Sequence, residues 1–168
     1  MKKLLLVSVA AIFATAAFAA TNPATATFDV KLTVLKACSV TAGATSDISF
    51  GSQDASATNL EQSNTITVIC SKKTPYTIGL KPSNNATDGA GVMAAQNTAP
   101  VTGNTDTVAY QLRSTTGTAG TVWGDAVASR VGATGNGTAQ SHTVFATVPS
   151  ANVTPDDYKD TVTVSVYY

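Results

Sequence analysis

Apolar residues recur at every second position along most of the chain. Phe28, Val30, Leu32 and Val34 alternate with Asp29, Lys31 and Thr33. Ile66, Val68 and Cys70 alternate with Thr67 and Ile69, and Tyr76, Ile78 and Leu80 with Thr77, Gly79 and Lys81. The pattern returns at Val108, Tyr110 and Leu112, at Val144, Ala146 and Val148, and at Val162, Val164, Val166 and Tyr168. Successive side chains on a strand point to opposite faces, so this period predicts strands with one buried face. The Thr-rich outer faces suit that assignment, since β-branched side chains lie well on a pleated surface. Turn formers separate the runs: Pro82 to Gly91, Gly103 to Asp106, Gly117 to Gly120, Gly132 to Gly137 and Pro149 to Pro155. Asn136-Gly137 reads as a hairpin signal. Many short strands with almost no helical periodicity between them predict an all-β antiparallel sandwich.

The start of the chain follows a different rule. Lys2 and Lys3 precede an uncharged apolar run, Leu4 to Phe18, which ends in Ala17-Phe18-Ala19. A basic end, a run too short to span a bilayer comfortably and small residues at a cleavage point describe a secretory signal peptide, placed at residues 1–19, with cleavage after Ala19 or Ala20. About 149 residues then remain, enough for one domain with a real core. Residues 20–35 are read as an N-terminal extension and 36–168 as the domain.

Composition narrows the function. The 168 residues include ten basic and ten acidic side chains, 12% charged in all. Loss of the two leader lysines gives a net charge of about −2, which argues against a phosphate-neutralising nucleic-acid binder. One histidine, His142, and two cysteines, Cys38 and Cys70, cannot build a His-rich or four-cysteine metal site. In an oxidising compartment the cysteines are expected to pair. Cys38–Cys70 closes a loop of about 32 residues, worth about 3–4 kcal/mol on the chain-entropy account.

Catalytic patterns are weak. No serine has the G-x-S-x-G setting, adjacent Asp156 and Asp157 diverge on an extended chain, and the Gly132–Gly137 stretch lacks a phosphate-binding lysine. His142 is expected at a surface or edge, and Trp123, followed by Gly124-Asp125, as a core anchor at a turn. The expectation is a protein with no catalytic residue, no metal and no cofactor.

Two stretches stand apart. Ala24 to Val34 alternates just after the small segment Thr21-Asn22-Pro23, and Asp160 to Tyr168 alternates up to the last residue. Taken alone, the first is either an ordinary first strand or a strand for another molecule. An edge strand must be paired in one of these ways, because its unpaired N–H and C=O groups template association.

A set of short motifs occurs in order: Cys38-Ser39-Val40, Ile48-Ser49-Phe50-Gly51, Ile66-Thr67-Val68-Ile69-Cys70, Thr74-Pro75-Tyr76-Thr77-Ile78-Gly79-Leu80, Val122-Trp123-Gly124-Asp125 and Asp157-Tyr158-Lys159-Asp160-Thr161-Val162-Thr163-Val164. With the leader and the cysteine pair, this set resembles the spore coat protein U domain, the subunit type of archaic chaperone–usher pili such as the Csu pilus. Members often carry Gly before the Tyr of the last strand; here Asp156-Asp157 stands there, a difference that bears on the turn.

The resemblance implies an immunoglobulin-like sandwich lacking one strand and completed by a donated one, a case of β-augmentation. Mapped onto this chain, the donor strand is about Ala24 to Leu32, with Ala24, Ala26, Phe28, Val30 and Leu32 facing inward and Val34 extending the row. Val162, Val164, Val166 and Tyr168 are expected on the core face of the strand that edges the acceptor groove and meets the chaperone. Implied partners are neighbouring pilin subunits, a periplasmic chaperone and an outer-membrane usher. The implied product is a cell-surface fibre that supports attachment and biofilm formation. The alternatives are a carbohydrate-binding adhesin or tip or adaptor subunit, with Tyr167 and Tyr168 as a sugar-binding pair, and a spore or extracellular coat protein.

Overall fold

A computed structural model describes residues 22–168, so the leader assigned to residues 1–19 lies outside the described residues. The folded unit runs from Leu35 to Tyr168. It contains nine strands: β1 (Cys38–Thr41), β2 (Thr58–Cys70), β3 (Pro75–Pro82), β4 (Ala90–Ala95), β5 (Thr107–Arg113), β6 (Val131–Thr134), β7 (Ala139–Ser150), β8 (Tyr158–Lys159) and β9 (Val162–Tyr167). Single turns of 3-10 helix at Ala44–Ser46 and Val127–Ser129 are its helical parts among the described residues.

All the strand pairs are antiparallel. One sheet has the order β1-β2-β7-β5-β4-β8 and the other β6-β3-β9. The period-two rows meet between them. Ile66, Val68 and Cys70 of β2, Tyr76, Ile78 and Leu80 of β3, Val108, Tyr110 and Leu112 of β5, and Val144, Ala146 and Val148 of β7 are all buried. The four runs therefore form the core that their alternation predicts.

Trp123 is buried with them, and its indole N–H donates to Ile78 O at 2.9 Å. That bond ties the loop after β5 to β3 and satisfies the polar atom that burying tryptophan brings in. Gly124 lets the loop close, since a Cβ there would stand 2.2 Å from Thr87 O.

Four strands lie outside the alternating runs, of which β1 and β8, at four and two residues, are too short to show a period. β4 is Ala-Gly-Val-Met-Ala-Ala and β6 is Val-Gly-Ala-Thr, too poor in large side chains to show a period. β2 begins at Thr58, eight positions before its apolar row, because its first half is polar. The hairpin expected at Asn136-Gly137 is a crossing between sheets: β6 belongs to one and β7 to the other. The turn chemistry itself is present, with Gly137 at φ 84° and Asn136 Oδ1 accepting from Thr138 N–H at 2.8 Å. A local turn signal does not say which sheet the next strand joins.

Candidate strand-acceptor groove

β9 is an edge strand. It pairs with β3 from Val162↔Pro82 to Tyr167↔Thr77, and on its other side no strand lies among the described residues. β1 is the matching edge of the larger sheet, held to β2 over four residues from Cys38↔Cys70 to Thr41↔Thr67. β1 and β9 approach one another across this side of the sandwich. The Cys38–Cys70 disulfide pins the first residue of β1, with its Cα atoms 4.1 Å apart.

Burial differs between β3 and β9. Ile78, Leu80 and Pro82 of β3 are buried to within 2%. Their register partners Val166, Val164 and Val162 share the same face and pack against the core, yet each is only half-buried. Their neighbours differ: beyond β3 lie β6, beside Ile78, and the loop carrying Trp123 and Gly124, where Leu80 N–H donates to Gly124 O at 3.2 Å, whereas beyond β9 no strand lies among the described residues. A further strand beside β9 would cover the exposed half of each valine. The core face expected to run on to Tyr168 ends at Val166, because pairing with β3 stops at Tyr167; Tyr168 lies past the strand and is 58% exposed.

The outer face of β9 is tied down. The Tyr167 hydroxyl donates to Asp125 Oδ1 at 2.9 Å, and the Arg130 guanidinium lies 3.5 Å over the Tyr167 ring. Arg130 Nε donates to Asp125 O at 2.8 Å and stands 3.4 Å from its carboxylate. Asp125 reaches this position because Gly79, opposite Ser165, has no side chain in its way. Tyr167 is thus engaged with Arg130 and Asp125, and it does not present a free aromatic pair with Tyr168.

Residues 22–34 form neither helix nor strand. Phe28, Val30 and Leu32 are 88%, 89% and 87% exposed, and Ala24, Ala26 and Val34 are exposed as well. Asp29 and Lys31, on the alternate positions, form an exposed ion pair at 2.9 Å.

The remaining candidate side chains have structural partners. His142 is half-buried on β7, with Nε2 2.9 Å from the Tyr76 hydroxyl and its ring edge-on to that tyrosine. Burial lowers its pKa. Asp156 accepts from the N–H groups of Asn97 and Thr98, each at 3.0 Å, and Asp157 accepts from the Thr98 hydroxyl at 2.9 Å. The two carboxylates therefore brace the loop after β4. No group of three or more His, Cys, Asp or Glu that could hold a metal lies among the described residues.

The sequence model of the Spore Coat Protein U domain matches residues 24–165. The chain belongs to the Spore Coat Protein U domain family. The match takes in the exposed alternating segment as well as the sandwich. No curated protein matches the sequence. Among solved structures, the domain is similar in fold to a chain in the crystal structure of the CsuC–CsuE chaperone–tip adhesion subunit pre-assembly complex from archaic chaperone–usher Csu pili of Acinetobacter baumannii. The TM-score is 0.51 at 21% identity, covering 81% of this chain and 40% of that one. The Spore Coat Protein U domain seen here is thus an all-β, immunoglobulin-like sandwich, and this chain spans less than half of the solved chain it resembles.

Proposed function

We propose that this chain is a structural subunit of a secreted adhesive pilus, exported behind the leader at residues 1–19 and assembled by chaperone–usher donor-strand complementation. The observation that carries the reading is the difference in burial between Val162, Val164 and Val166 and their partners on β3. That deficit has the shape of one absent strand. Residues 24–34 supply a strand of the right character, apolar on alternate positions and exposed. Ala24, Ala26, Phe28, Val30 and Leu32 of one subunit fill the groove of another, and the large three contribute about 1.5–3 kcal/mol each by burial. Main-chain pairing along β9 supplies the rest. Donating and accepting surfaces differ, so the contact is head to tail and generates a filament.

The groove needs a temporary occupant before assembly, which is the part a periplasmic chaperone plays, and an outer-membrane usher is where the exchange takes place. The completed fibre is displayed at the cell surface, where it serves adhesion and biofilm formation. The subunit has no catalytic role and uses no cofactor.

The test is an unheated SDS gel of periplasmic extract. The full chain is expected to give a heat-sensitive ladder, whereas Val30→Glu with Leu32→Glu leaves soluble subunit without a ladder. A normal ladder from that variant, or from a chain lacking Ala20 to Leu32, would remove the donor-strand assignment.

A further inference from the structure

The two ends of the sandwich carry opposite charge. Lys72 and Lys73 stand in the turn from β2 to β3. Lys36 is beside them, because Ser71 N–H donates to Ala37 O at 2.8 Å and Ala37 N–H donates to Ser71 Oγ at 3.0 Å. All three lysines are exposed. The turn before β7 closes the same end, with Lys73 N–H donating to Gly135 O at 2.7 Å and Gly137 N–H to Cys70 O at 3.1 Å, and it brings no carboxylate.

The opposite end is acidic. β2 and β5 begin there and β4 and β7 finish there. Asp54 precedes β2, with Ala57 N–H donating to its carbonyl at 2.8 Å. Asp106 precedes β5 and accepts from Thr154 N–H at 2.9 Å and from the Thr154 hydroxyl at 2.7 Å. Asp156 and Asp157 lie beyond β7, against the loop that follows β4. Their donors are neutral, so they satisfy the oxygens without cancelling the charge. The bonds from Thr154 hold the Asp106 pKa below the ordinary carboxylate value. For Asp156, burial opposes the hydrogen bonds from Thr98, Asp157, Asn104 and Asn97, and the bonds prevail. Half-buried Asp160 adds a carboxylate at this end, and Lys81 and Lys159 are its basic side chains. The ion pairs among the described residues are Lys31–Asp29 and Arg130–Asp125, so neither end is neutralised within the chain.

We propose that the Lys36, Lys72 and Lys73 end of one copy of this chain docks on the Asp54, Asp106, Asp156 and Asp157 end of the next, an electrostatic contact beside the inserted strand. The proposal rests on the donated-strand reading. Residues 24–34 join the folded unit at Leu35, next to Lys36. β9 runs from the acidic end, where Val162 faces Pro82, toward the lysine end, where Tyr167 faces Thr77. A segment inserted antiparallel to β9 therefore leaves its acceptor at the acidic end. Lys36 follows within two residues, about 7 Å of extended chain, inside the Debye length of about 8 Å at physiological salt. A parallel insertion brings lysine end to lysine end, which like charge opposes. Opposite poles also steer encounter between subunits before the strand is seated.

The experiment follows ladder growth on unheated gels, using the full chain exported and released from the periplasm, at about 50 and about 500 mM salt. Lys72→Glu with Lys73→Glu is expected to slow growth about tenfold at low salt, with the difference shrinking at high salt. Adding Asp54→Lys and Asp157→Lys to the same chain reverses both partners and is expected to restore the rate. Growth at the wild-type rate in every charge variant at both salts overturns the docking, and so does a fourfold variant no faster than the lysine double. Should the lysine double lower the thermal midpoint, the salt dependence of the wild-type chain decides: growth independent of salt overturns the proposal. Failure of the underlying reading looks different. In that case the wild-type chain gives no ladder, as does the chain lacking Ala20 to Leu32.

Discussion

At the scale of single residues, the informative positions are those where one side chain makes room for another. A Cβ at Gly79 would stand 2.0 Å from Asp125 Oδ1, the same oxygen that accepts from Tyr167. Gly79→Ala should therefore cost about 1–3 kcal/mol, the range for overpacking. Asp125→Ala frees that space, so the two changes together should cost less than their sum in a double-mutant cycle read from urea midpoints. Strict additivity would mean that Gly79 matters for some reason other than Asp125. His142 gives a pH dependence of defined sign. Burial lowers its folded pKa. As pH falls below about 6.5, the unfolded chain takes up the proton first, so stability declines through that window down to the lowered folded value. The carboxylates of Asp106 and Asp156, also lowered, lose their stabilising contribution only further down, below about pH 4. His142→Asn should flatten the thermal midpoint between about pH 7 and pH 5 and leave the acid limb in place. An unchanged slope would assign the decline to another group.

At the scale of elements, the two strands flanking the groove are each paired on one side only and are held further by special contacts. β1 is four residues long and begins at its disulfide. Cys38→Ser should lower stability by about 2–4 kcal/mol and reduce periplasmic yield. Wild-type yield and urea midpoint would remove the structural role of the bond. β9 relies on Tyr167, Arg130 and Asp125 on its outer face. Arg130→Gln removes the cation over the ring, a contact worth about 0.5–2 kcal/mol. It should raise amide exchange in β9 ahead of exchange in β7, and equal acceleration everywhere would mean a global effect instead. What the sequence could tell follows from the apolar rows. Ile66–Cys70, Tyr76–Leu80, Val108–Leu112, Val144–Val148 and Val162–Val166 are legible because their rows are unbroken, whether the strand is central or at an edge. β4 and β6 are not, since small residues show no period. The ordered family motifs do not contain the brace behind β9: Gly79 and Asp125 sit in two of those motifs while Arg130 lies outside them, and their meeting depends on the Trp123 turn.

At the scale of the whole molecule, the proposed assembly ties stability to strand insertion. A groove that is half-covered in the isolated chain leaves part of the core term unrealised, so any ligand that seats beside β9 stabilises the fold by mass action. A peptide spanning residues 24–34, added to the full chain carrying Val30→Glu and Leu32→Glu, should raise the thermal midpoint in a concentration-dependent way. At a hundredfold excess over its Kd, the gain is about 2.7 kcal/mol. For a domain of this size, that corresponds to about 5–10 °C. The stabilisation should depend on alternation, because a one-residue slip turns Phe28, Val30 and Leu32 to solvent. A peptide of the same composition with its apolar residues grouped together instead of alternating should therefore leave the midpoint where it was. Equal stabilisation by both peptides would reduce the effect to unspecific apolar binding. Stabilisation by neither would place the missing cover of Val162, Val164 and Val166 in a segment other than residues 24–34.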